Sequence, residues 1–112
     1  MPASPATPPP EALLVFISCP AGSADALGAA LVEARLAACV SALPGLRSVY
    51  RWQGQLERSE ETLLLAKTTR ARYAALEAEV RRLHPYELPE IVAVNVAGGL
   101  PAYLQWVHDS TA

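Results

Sequence analysis

Residues 39–66, "CVSALPGLRSVYRWQGQLERSEETLLLA", read as extended chain with two interruptions, Pro44-Gly45 and Gln53-Gly54. Pro44 cannot donate to a ladder and Gly45 permits a bulge, so the first arm bends there and lies at a sheet edge. Gln53-Gly54 is a two-residue hairpin signal between good strand residues. The return arm starts polar and becomes apolar at "LLLA", residues 63–66, which belong inside a core. Tight closure at the turn sets Arg47 opposite Glu60 across the ladder. Any fold for this chain must therefore cover the inner half of a long hairpin. Its free edge invites aggregation unless something covers that too.

The remaining segments supply the cover. Leu13–Ser18, "LLVFIS", is a short apolar run ended by Cys19-Pro20, the pattern of a strand buried on both faces. Leu27, Ala30, Leu31, Ala34 and Ala38 then recur at helical spacing, with Ser23 as the N-cap. Thr69 caps a second helix whose stripe is Tyr73, Leu76, Val80 and Leu83, and Pro85 stops it by forcing His84 out of the α region. Ile91–Ala97 is a last strand, and Pro101 opens a C-terminal helix. The order β-α-β-β-α-β plus a helix is that of the split βαβ, or ferredoxin-like, sandwich. It is an α+β class with the first and third strands central. Residues 12–112 form the single domain, and the proline-rich stretch 1–11, "MPASPATPPPE", is a disordered or polyproline-like tail.

Composition narrows the function. The 112 residues are 52% hydrophobic and 18% charged, too apolar for a disordered chain and apolar enough that a small domain hides surface against another copy. A net charge of −2 excludes the basic face of a nucleic-acid binder, and no apolar run reaches the length of a membrane span. The tail lacks the basic and apolar regions of a secretory signal. Cys19 and Cys39 lie far apart in sequence and outside any CxxC pair. Reduced thiols in a cytoplasmic protein are the expectation. There is no GxSxG, GxGxxG or GxxxxGK[ST], so no enzyme chemistry is indicated.

Four blocks in order, "ARLAACVSALPGLRSVYRWQGQLE", "ETLLLAKT", "HPYELPEIVAV" and "PAYLQWV", resemble the CutA divalent-cation-tolerance family. The resemblance covers about residues 13 to 109. It implies a ferredoxin-like subunit assembled as a compact homotrimer, with a non-enzymatic role in tolerance of divalent metals, copper in particular. It implies no obligatory cofactor.

Two groups of side chains are candidates for a site. In "HPYELPE", residues 84–90, His84 offers an imidazole nitrogen and Glu87 or Glu90 an oxygen to copper or another divalent cation, with Cys19 as a soft third ligand. The competing reading is a helix exit in which His84 suits the end of the dipole and the two prolines fix the chain's path. The second group is Trp52, Lys67, Tyr86, Glu90, Tyr103 and Trp106, expected at a cleft between subunits. Aromatic walls with one lysine and one carboxylate suit a small anion or zwitterion. That would make the protein a trimeric small-molecule sensor, the alternative to a metal-response role. Aromatic packing at an interface explains the same residues.

Overall fold

A computed structural model describes residues 11–112. The disorder expected of residues 1–10 falls outside them. Within the described residues the chain runs β1 (Ala12–Cys19), α1 (Ala21–Glu33), β2 (Cys39–Trp52), β3 (Gln55–Thr69), α2 (Arg70–Leu83), β4 (Ile91–Asn95) and α3 (Pro101–Thr111). The four antiparallel strands lie in the order β2-β3-β1-β4, an α+β arrangement with the first and third strands central.

Strand alternation divides the sheet into two unlike faces. Leu13, Val15, Ile17 and Cys19 of β1 share a face with Leu64, Ala66 and Thr68 of β3, all buried. Leu27 and Leu31 of α1 and Leu76 and Val80 of α2 complete this core. The opposite face carries Leu14, Phe16, Leu63 and Leu65, only half-buried, flanked by exposed Leu43, Val92 and Val94.

The hairpin turns at the two residues expected of it. Gln53 and Gly54 both take positive φ, 50° and 80°, the signature of a two-residue turn that matches strand twist. Arg47 pairs with Glu60, and the register shifts between Leu43 and Leu46, where Gly45 has φ 80°. Beyond that bulge the two arms leave the body of the protein. The molecule measures 65 × 25 × 22 Å, and its radius of gyration is 16.2 Å. A compact chain of this length would have about 13 Å.

Several boundaries differ from the sequence reading. Helix α1 starts at Ala21 with Pro20 before it, and Ser23 lies inside the first turn rather than at the cap. Proline has no N–H for a helix to lose, so it opens one readily. Arg35, at φ 59°, ends α1 early, leaving Ala34 exposed and handing the core to Leu36 and Ala37. Leu83 is exposed and His84 takes the inward position instead. Thr69 stands at the N-cap of α2 without a side-chain capping bond, and β4 stops at Asn95, two residues short. Glu11, read as the end of the tail, accepts a backbone bond from Arg70 and pairs with its guanidinium.

Candidate functional site

The exit from α2 is built around one imidazole. His84 adopts φ −71° and ψ 136°, extended as a residue before proline must be, while its N–H still bonds Val80 O at 2.7 Å. Its side chain turns inward and is buried. Nε2 lies 2.7 Å from the carbonyl oxygen of Ser18 at the end of β1, and the Tyr86 N–H donates to Nδ1 at 3.1 Å. A carbonyl only accepts and an amide N–H only donates, so the ring is held as the Nε2–H tautomer with both nitrogens engaged. His84 clamps the turn to the central strand.

That geometry leaves neither ring nitrogen free within the subunit. Cys19 is fully buried, and burial, followed by the nearby Glu61 carboxylate, pushes its thiol pKa up, away from the thiolate that a soft metal needs. Glu87 is exposed. His84, Cys19 and Glu87 form no ligand group in the subunit, and the described residues contain no cluster of three or more His, Cys, Asp or Glu positioned to hold an ion. Within the subunit the imidazole is engaged by the Ser18 carbonyl and the Tyr86 N–H.

Beside the clamp lies a groove of about 870 Å³ lined by residues 47–52 along the hairpin arm and by the turn 85–90. Tyr50, Trp52 and Tyr86 supply its aromatic lining, Glu61, Glu87 and Glu90 its carboxylates, and Arg47 and Arg51 its cations. The tilted His84 and Tyr86 rings pack 4.8 Å apart, which ties the groove wall to the clamp. Glu61 is 5% exposed. Ser59 donates to its Oε1 at 3.1 Å, whereas Oε2 is buried without a hydrogen-bond partner. Burial, then hydrogen bonding to the Glu61 carboxylate and the charges of Glu61, Tyr50 and Cys19, raise the Tyr86 phenol pKa.

The six-residue cleft group divides. Trp52, Tyr86 and Glu90 line this groove, but Lys67 lies six residues along β3 from Glu61, about 20 Å away at strand rise. There Lys67 donates to Ser41 Oγ at 2.7 Å and to the Cys39 sulfur at 3.7 Å. Burial, followed by Cys39, raises the pKa of Tyr103, whose ring packs 5.6 Å from that of Trp106. One subunit thus has two separate aromatic ends. Sequence reasoning missed Glu61 because the return arm reads as polar up to Leu63. A period-2 count back from the half-buried Leu65 and Leu63 would have placed Glu61 on the same face.

The family model described as "CutA1 divalent ion tolerance protein" matches residues 13–110. The divalent-cation tolerance protein CutA of Thermus thermophilus is 48% identical over 88% of this chain and 96% of that protein. Protein CutA of Mus musculus is 43% identical over 86% of this chain but only 55% of its own length, so the chain spans about half of that relative. A crystal structure of CutA from Xylella fastidiosa superposes with TM-score 0.88 at 45% identity, covering 90% of this chain and 98% of that one.

The expectation of a cytoplasmic location needs correction. An Arabidopsis thaliana relative, 36% identical over 88% of this chain and 55% of its own, is named chloroplastic. A solved Archaeoglobus fulgidus structure, 29% identical with TM-score 0.87 over 90% of this chain and 99% of that one, is named periplasmic. Relatives are thus named for more than one compartment, and the family does not fix a cytoplasmic address.

Proposed function

As the chain belongs to the CutA1 divalent ion tolerance family, we propose that it acts in the response to divalent metal ions as a non-enzymatic homotrimer. The observation that carries this reading is the family match across 13–110, joined to a sheet that leaves one apolar face and a long arm uncovered in the single subunit. Three copies arranged around that face would bury it, and a closed cyclic assembly leaves no free edge.

Metal contact, in this reading, is weak and made through exposed carboxylates such as Glu87, since His84 and Cys19 are committed elsewhere. Titrating the metal-free protein with Cu(II), Cu(I) and Zn(II) by calorimetry tests this directly. A shallow isotherm that saturates only in large metal excess is expected. A sharp break at one ion per chain, or one per trimer, would mean that subunits assemble a dedicated ligand set.

The groove favours a second reading, a small-molecule sensor within the same assembly. Its 870 Å³ is the size of an ordinary ligand pocket, and its aromatic walls with a few convergent polar groups match that class of site.

A further inference from the structure

Cys39, at the start of β2, stands directly across the ladder from Lys67 of β3. The Lys67 ammonium donates to the Cys39 sulfur at 3.7 Å and to Ser41 Oγ at 2.7 Å. All three side chains lie on the sheet face opposite the core, and all three are half-buried. Residues facing each other on adjacent strands have Cβ atoms about 5 Å apart, so this sulfur and nitrogen can meet without any movement of the backbone. Neither the metal reading nor the groove beside His84 uses the pair.

The two cysteines differ in what surrounds them. Cys19 is fully buried on the core face, where burial, then the Glu61 carboxylate, raises its thiol pKa. Cys39 is only half-buried and carries a cation on its sulfur. An ammonium N–H donated to sulfur stabilises the negative charge with which a thiol attacks an electrophile. Cys19 is opposite Thr62 and Cys39 opposite Lys67, so the two thiols lie about 16 Å apart along the strand direction and on opposite faces. These are the only cysteines in the chain, and that distance forbids a disulfide between them. Once oxidised, Cys39 has one strong nucleophile beside it within the subunit, the Lys67 amine.

We propose that Cys39 and Lys67 are an oxidative modification site, at which peroxide drives a covalent bond between Sγ and Nζ that staples β2 to β3. The Cys39 sulfur first attacks one peroxide oxygen. The O–O bond breaks, and a sulfenic acid and water form as sulfur gives two electrons to the peroxide. The Lys67 nitrogen, having released one proton to solvent, then attacks the sulfenic sulfur. The S–O bond breaks, and the hydroxide leaves as water with a second proton from the amine, so a sulfenamide S–NH remains. Two equivalents of a thiol reductant reverse this, restoring Cys39 and Lys67 while the reductant becomes a disulfide. Both reacting atoms belong to one chain, and peroxide needs little more room than water. The step therefore requires neither an open cleft nor a bare sheet face.

Mass spectrometry tests the bond. The full chain in its native assembly is exposed to increasing hydrogen peroxide, its remaining thiols are blocked, and it is digested at acidic residues, which separate Cys39 from Lys67. The two peptides should appear joined, lighter than their sum by two hydrogen atoms, and dithiothreitol added before digestion should part them. Cys19 should stay reduced throughout and serves as the internal control. Lys67→Arg keeps a cation in place but removes the nucleophilic amine, so the link should vanish and Cys39 should proceed to sulfinic acid. If that variant fails to fold, fragmentation of the joined peptides from the unmodified chain still locates the bond. Sulfinic acid at Cys39 without a link in the unmodified chain would overturn the proposal. So would a disulfide between two copies, a link that persists in Lys67→Arg, or a Cys39 thiol that peroxide leaves untouched while the fold survives. Joined peptides carrying one extra oxygen would overturn the direct S–N bond in favour of an N–O–S bridge.

Discussion

His84 and Glu61 are both buried polar residues beside the same turn, yet they stand in opposite conditions. The imidazole has a partner on each nitrogen, and the carboxylate has one oxygen without any. His84→Ala removes the donor to Ser18 O and leaves that buried carbonyl to water or to nothing, a cost of about 1–3 kcal/mol. The variant should therefore unfold at distinctly lower denaturant concentration than the parent. An unaltered midpoint would show that the clamp contributes little. Cys19 offers a second check. Its folded pKa lies above the ordinary 9.0, so the folded state holds the proton more tightly than the unfolded chain. The stability this confers is complete below about pH 9 and falls as pH rises towards and through the raised folded value. Tyr73, Tyr86 and Tyr103 are raised too and act in the same direction from about pH 10. Denaturant midpoints followed upward from pH 7 should decline sooner for the parent than for Cys19→Ala, and the native Cys19 thiol should resist disulfide reagents until unfolding. The sequence revealed that His84 and Cys19 matter but not how, because partner choice depends on where the end of β1 meets the exit from α2.

At the scale of elements, most of the fold was legible because each boundary has a local cause. Pro44-Gly45 made the bulge, Gln53-Gly54 the turn and Pro85 the end of α2. The misreadings have local causes as well. Arg35 in the left-handed region ends α1, a conformation that a long side chain rarely announces in sequence. The cleft group, expected between subunits, is divided within one of them. Its six residues sit at two ends of β3, and composition alone does not say which end of a strand a side chain serves. The turn provides a direct test. Gly54 at φ 80° sits where any side chain is strained, although open space surrounds it. Gly54→Ala should then cost about 1 kcal/mol from backbone strain alone. Gln53→Asn, at φ 50°, should be neutral or slightly stabilising because asparagine tolerates that region. Chemical denaturation of both variants checks the pair. Equal stability of the glycine variant and the parent would mean that the arm frays at its tip and the turn geometry does not matter.

At the scale of the whole molecule, one sheet face is apolar and open to solvent in the single chain, and a long arm stands out from the body. Leu43, Val92 and Val94 are exposed beside the half-buried Leu14, Phe16, Leu63 and Leu65, and the arm extends the protein to 65 Å. A small soluble domain seldom leaves so continuous an apolar sheet face in water. The sequence foretold this surplus through its hydrophobic fraction, and the family match extends over the segments that form both the face and the arm. Cyclic association accounts for the face, the edge and the arm together. Light scattering coupled to size-exclusion chromatography, on the purified chain at micromolar concentration, tests this claim most directly. Each chain is 11.9 kDa, and the account predicts a single species of three chains whose mass does not change on dilution across the micromolar range. A clean monomer of 11.9 kDa under those conditions would contradict it.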